Sequence, residues 1–125
     1  MHRSRLAGFI VDCRTDDLEQ AATFWGAALG LPLQPEAEQS SPKYRKLMTS
    51  DGLNIEIQTV EHESRVHLDI ETDDIAAEVR RLEALGAKRV ASVETWCVMQ
   101  APTGQRFCVV RPQRPDFKEH ANVWK

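Results

Sequence analysis

Cysteine is scarce in this chain, and the little there is forms no pattern. Cys13, Cys97 and Cys108 are odd in number, share no metal-binding spacing and lie in apolar runs, so they read as reduced thiols rather than as a disulfide framework. Long hydrophobic runs are missing too. Nothing approaches the roughly 20 apolar residues of a membrane-spanning helix. The opening MHRSRLAGF has positive charge without the apolar run of a signal peptide, so we expect a soluble, cytoplasmic protein with no membrane partner. Basic residues are not in excess: 16 Lys and Arg stand among 19 Asp and Glu, for a net charge of -3. Their scatter excludes a phosphate-backbone footprint, and nucleic acid is not an expected partner. No glycine-rich phosphate loop, nucleophile elbow or Cys-x-x-Cys occurs, which removes nucleotide hydrolysis and serine chemistry.

What is present is a plan written twice. At 125 residues the chain suits one domain large enough to bury a core without staples. In the stretch from Arg65 to Gly86, Val66, Leu68 and Ile70 alternate with polar residues as a half-buried strand does. Thr72, Asp73 and Asp74 break the pattern and supply a carboxylate for a helix N-terminus. Ile75, Val79, Leu82 and Leu85 then form one apolar stripe, with Glu78, Arg80, Arg81 and Glu83 expected in water, and Gly86 closes the helix. Earlier, Phe9, Val11 and Cys13 lead through Thr15, Asp16 and Asp17 to a helix ending at Gly30. Thr-Asp-Asp recurs 57 positions on (15 to 72) and Ala-Leu-Gly 56 on (28 to 84). Asp51-Gly52 and Thr103-Gly104 mark matching turns at an offset of 52 (51 to 103). Two copies of one half-domain are therefore expected, with a site between them.

Taken in order, the pattern predicts a strand over 6–13, a helix over 17–29, an edge strand over 31–34 and a loop over 36–42. Strands over 44–49 and 53–60 follow, putting Asn54, Glu56 and Gln58 on one face. After the second helix, strands over 87–92, 95–100 and 105–111 repeat the three-strand finish. The fold class is α+β, with module one at about 6–60 and module two at about 65–112. An extended C-terminal tail, 113–125, needs cover for Phe117 and Trp124. His2, His62 and His120 sit in polar segments and are expected to be solvated.

With Asp-Asp-Leu, Phe24-Trp25 and Ala-Leu-Gly in copy one, and His67-Leu68-Asp69 with Asp-Asp-Ile in copy two, the chain resembles the glyoxalase/bleomycin-resistance/dioxygenase superfamily, also called vicinal oxygen chelate. The likeness runs from Leu6 to Pro112. It implies tandem βαβββ modules forming a cup-shaped, partly open mixed sheet around a small organic molecule, and a homodimer. Metal-using members place ligands on the first and last strand of each module. The repeat offsets carry those places to Ile10, Glu56, His67 and Cys108.

Ile10 offers no lone pair, which leaves Glu56, His67 and Cys108 as an incomplete ligand set. Three ligands with an open position is the number a catalytic zinc uses, and a carboxylate, imidazole and thiolate suit a divalent ion such as Zn, Ni, Fe or Mn. Each residue has a plainer alternative. Cys108 can be a small hydrophobe, His67 a satisfied strand histidine, and Glu56 the polar face of a half-buried strand. Without a metal, Glu56 and His67 could serve as a base and the histidine it orients. Trp25, Tyr44, Trp96 and Met99 are candidate pocket walls, with Lys46 and Arg106 as anion receivers, although Trp25 on the helix stripe equally suits the core. The expected function is small-molecule binding on a glyoxalase-like domain. Its rivals are a metal-dependent lyase, isomerase or dioxygenase using Glu56 and His67, and a drug-sequestering resistance protein.

Overall fold

The computed structural model describes residues 1–39 and 41–125; the expected loop over 36–42 thus includes one position, Ser40, outside the described residues. Among them the elements run β1 (His2–Cys13), α1 (Leu18–Leu29), β2 (Tyr44–Leu47), β3 (Asn54–Thr59), β4 (Arg65–Thr72), α2 (Ile75–Ala84), β5 (Lys88–Val93), β6 (Trp96–Gln100), β7 (Arg106–Val110), α3 (Phe117–His120) and β8 (Asn122–Trp124). The class is α+β. Two compact units divide the chain, residues 9–66 in one and residues 1–8 with 67–125 in the other, so β1 contributes to both.

In the 9–66 unit the strand order is β2-β3-β1, with β2 and β3 antiparallel around the Asp51-Gly52 turn. The Asp51 carboxylate shapes that turn by accepting from the Leu53 amide at 3.0 Å. Helix α1 begins where Asp17 Oδ1 accepts from the Gln20 amide at 3.1 Å. It ends at Gly30, whose φ of 69° is open to glycine without a Cβ clash. Ala22, Leu47 and Ile57 form the core between helix and strands, with Val11, Cys13, Trp25 and Ile55 packed on it. The edge strand expected at 31–34 is reduced to a single bridge, Leu33 to Leu47, because Pro32 and Pro35 remove the amides a ladder needs.

In the other unit the order is β1-β4-β7-β6-β5, with β8 on β1. β4 and β7 are parallel, while β7, β6 and β5 follow as antiparallel neighbours. Asp74 caps α2 by accepting from the Ala77 amide at 3.0 Å. The helix covers one sheet face through Val79 and Leu82 on Cys97, Met99 and Val109. Leu85, placed on that stripe by its spacing, is instead 66 % exposed.

Glu78 departs from expectation in the other direction, being fully buried. Its carboxylate accepts two bonds from Arg81, at 2.9 and 2.8 Å, and meets His2 Nε2 at 2.8 Å, so His2 is buried rather than solvated. The tail is not simply extended either. One helical turn, α3, buries Phe117, and β8 pairs with β1 in the register His2 to Trp124. Trp124 lies under the Arg81 guanidinium at 4.0 Å and donates from Nε1 to Ser4 Oγ at 2.8 Å. The aromatic cover the tail requires thus comes from this unit itself.

Candidate functional site

Strand alternation sends the core residues of β4, β6 and β7 toward α2 and their neighbours to the opposite face. Asp69 on β4 is in register with Cys108 on β7, and Cys108 with Val98 on β6. His67, two residues before Asp69, shares that face. The ligand atoms of His67, Asp69 and Cys108 all lie within 4.8 Å of one another. Parallel pairing of β4 and β7 creates the cluster, because it sets position 69 beside position 108 with their side chains on one side.

The cluster is nearly dry. The side chains of His67 and Asp69 are 12 % and 11 % exposed, and Asp69 Oδ1 is buried without a hydrogen-bond partner. His67 Nε2 faces it at 3.4 Å, an ion-pair distance that does not meet hydrogen-bond geometry. A tetrahedral zinc bound at about 2.0–2.3 Å holds its ligand atoms about 3.3–3.8 Å apart. The 3.4 Å between His67 Nε2 and Asp69 Oδ1 is what such an ion bridges, the spacings to Cys108 stay within 4.8 Å, and a buried carboxylate oxygen lacking a donor is costly without one. The residues therefore fit a divalent ion bound by imidazole, carboxylate and thiolate.

Asp69 is the member that sequence reasoning missed. The signal was available, since His67 and Asp69 stand two apart in an alternating strand and must share a face.

The remaining candidates divide between the units. Arg106 is on the cluster's face of β7 and donates from Nε to Gln100 Oε1 at 3.0 Å, and Trp96 lies half-buried on the same face of β6. Met99 is on the other face, fully buried beneath α2. In the 9–66 unit Glu56 is in register with Lys46 and Tyr44 with Gln58, all on the face away from α1, while Trp25 packs on the α1 side. Glu56 Oε1 accepts from Asn54 Nδ2 at 3.1 Å. Ile10 is buried at 3 % exposure.

This unit also has an open groove of about 530 Å³ lined by Thr15, Lys43, Gln58, Thr59, Val60, Glu61 and His62. Beside it, buried Asp12 meets Gln58 Nε2 at 3.4 Å, Arg65 Nε at 3.8 Å and His62 Nε2 at 3.9 Å. The groove and the three-ligand cluster belong to different units.

Burial pushes the Cys97 thiol up, and the charges of Cys108 and Glu83 add to this against the opposing Arg89. Burial beside Asp12 raises Cys13 in the same way, with Trp25 opposing.

The chain is thus an α+β domain with a helix on one sheet face and a converging imidazole, carboxylate and thiolate on the other. The family model for the glyoxalase-like domain matches residues 8–110, and the chain belongs to that family. Among solved structures it is similar to methylmalonyl-CoA epimerase from Mycobacterium tuberculosis, at 17% identity and TM-score 0.61, covering 92% of this chain and 91% of that one. A glyoxalase/bleomycin resistance protein/dioxygenase superfamily member from Vibrio splendidus 12B01 is 18% identical with TM-score 0.51, covering 85% and 98%. A structure described as an NAD-dependent benzaldehyde dehydrogenase from Legionella pneumophila gives 11% identity and TM-score 0.62, covering 84% and 99%. At these identities the likeness shows the fold. No curated protein sequence matches the chain.

Proposed function

We propose that this glyoxalase-like domain binds a small oxygen-bearing organic molecule over a divalent ion, zinc by preference, held by His67, Asp69 and Cys108. The observation that carries the reading is the buried Asp69 Oδ1, without a hydrogen-bond donor and facing His67 Nε2 at 3.4 Å beside Cys108. Asp69 fills the carboxylate role that family spacing gives to Glu56. Such an ion, when bound, supplies a Lewis acid that polarises a carbonyl or hydroxyl oxygen. His67 and Asp69 orient one another on β4, Cys108 provides the soft ligand that disfavours magnesium, and the low exposure of the cluster keeps water from competing. Three protein ligands leave one position for a ligand oxygen.

Metal analysis of protein purified without chelator tests this. One equivalent of zinc is expected, with affinity reduced by more than about a hundredfold in His67→Ala or Asp69→Ala, since losing even an outer partner of a ligand costs about 10–100-fold. Zinc should also protect Cys108 from iodoacetamide. Absence of stoichiometric metal together with unprotected Cys108 defeats the reading. Turnover of a bound carbonyl compound would make the protein a lyase, isomerase or dioxygenase, and recovery of the compound unchanged would make it a sequestering protein. A cytoplasmic homodimer belongs to the same reading through the family resemblance, and light scattering checks the dimer.

A further inference from the structure

The face that carries the metal ligands is ordered in rows. Carrying the β4–β7 register back one residue from Leu68 and Phe107 sets His67 beside Arg106, which in turn pairs with Gln100. The next row is Asp69, Cys108 and Val98. The third is Glu71 and Val110, with Trp96 alongside on β6. Rows lie about 6.6 Å apart along the strands, and neighbours within a row about 4.8 Å apart.

Charge along these rows is uneven. Glu71 is already taken up, accepting from Arg5 Nε at 2.7 Å and from the amides of Gln113 and Arg114 at 2.6 and 3.0 Å. Arg106 is not. Among the described residues its guanidinium makes one hydrogen bond, from Nε to Gln100 Oε1, and no ion pair, which leaves both Nη nitrogens for another partner. A divalent ion neutralised by the Asp69 carboxylate and the Cys108 thiolate leaves Arg106 as the uncommitted positive charge beside it, with Lys88 on β5, in register with Gln100, exposed at the sheet edge of the same row. One carboxylate on Arg106 completes the balance next to the ion.

We propose that Arg106 is the specificity-determining anchor for a monocarboxylate ligand. Gln100, by occupying Nε, holds the guanidinium so that its Nη edge forks the carboxylate of an organic acid. A second oxygen of that acid, a few bonds away, reaches the ion in the middle row, and an apolar end lies on Val98, Val110 and Trp96. The ligand class is thus a 2-oxygenated carboxylic acid with an apolar tail. The inference rests on the metal reading above for its second contact but not for its first.

The test is calorimetric titration of zinc-loaded protein with 2-hydroxyhexanoate and its neutral amide, 2-hydroxyhexanamide. The acid should bind about tenfold or more tightly than the amide, as a charge-assisted fork outweighs a neutral contact. Arg106→Gln should erase that preference with zinc stoichiometry unchanged, and Arg106→Lys, which keeps charge without the fork, should restore part of it. An amide that binds as well as the acid, or a preference that survives Arg106→Gln, overturns the proposal. If the wild type or the variant holds no zinc, hexanoate against hexanamide on metal-free protein, followed by NMR shifts, decides the anchor alone. An Arg106-dependent preference for hexanoate upholds it even as the metal reading falls, and no preference or no binding overturns it.

Discussion

Asp69 and Glu71 stand two residues apart on β4, both buried, and meet opposite circumstances. Glu71 receives three donors, whereas Asp69 Oδ1 receives none. The difference predicts opposite responses to substitution. Glu71→Ala takes from the Arg5 guanidinium its Nε partner, leaving it Asp116, and leaves two tail amides unmatched. A loss of about 2–4 kcal/mol, measured by urea unfolding, is expected because a donor left without its acceptor costs about 1–3 kcal/mol. Asp69→Asn replaces a buried carboxylate whose Oδ1 has no hydrogen-bond donor. It should stabilise the metal-free form by about 0.5–2 kcal/mol while destroying zinc-dependent stabilisation, the trade expected where a site is kept for binding rather than for folding. Thermal melts with and without zinc read both effects, and equal destabilisation in the two conditions would contradict the account. Cys13 and Cys97, raised by burial, should alkylate slowly at pH 8.

At the scale of elements, both long helices start on an aspartate and stop at a glycine, and these signals were plain in the chain. Asp17→Ala and Asp74→Ala should each cost about 0.5–2 kcal/mol, the usual loss of an N-terminal cap, with α-helical ellipticity monitored during unfolding. Strand positions were equally legible, since Ile55 and Ile57 against Glu56 and Gln58 allow one register only. Polar residues were harder. Its charge suggests water for Glu78, although its spacing, three residues after Ile75 and four before Leu82, sets it on the apolar stripe; what nothing local reveals is that Arg81, one turn on, and His2, 76 positions away, enclose it. The tail was unreadable for the same reason, because a three-residue strand such as β8 exists only through its partner β1. Asp69 was within reach of alternation alone. Its importance was not, because the lack of a donor at Oδ1 is a property of the packed interior.

For the molecule as a whole, the buried Glu78 carboxylate sets the acid limit. Burial opposes its charge, but bonds from Arg81, His2 and Ser4 and the charge of Arg81 prevail, so its folded pKa lies below the ordinary glutamate value. Asp116 is lowered in the same direction by Arg5. A depressed folded pKa means that the stabilisation is complete above the unfolded value, about 4.3 for glutamate, and drains away as pH falls through the folded one. Urea midpoints should therefore decline below about pH 4–5, and Glu78→Gln should be less stable at pH 7 with a shallower acid slope. Parallel slopes would assign acid sensitivity elsewhere.

The pairing of His2 with Trp124 has one more result, for anyone building on this protein. Residues 2 and 124 leave the fold side by side, so a partner fused at one will crowd the other. A short peptide joining residue 124 to residue 2 needs to bridge only neighbouring strands. New ends opened at the exposed Thr103-Gly104 turn should then give a circular permutant that still assembles.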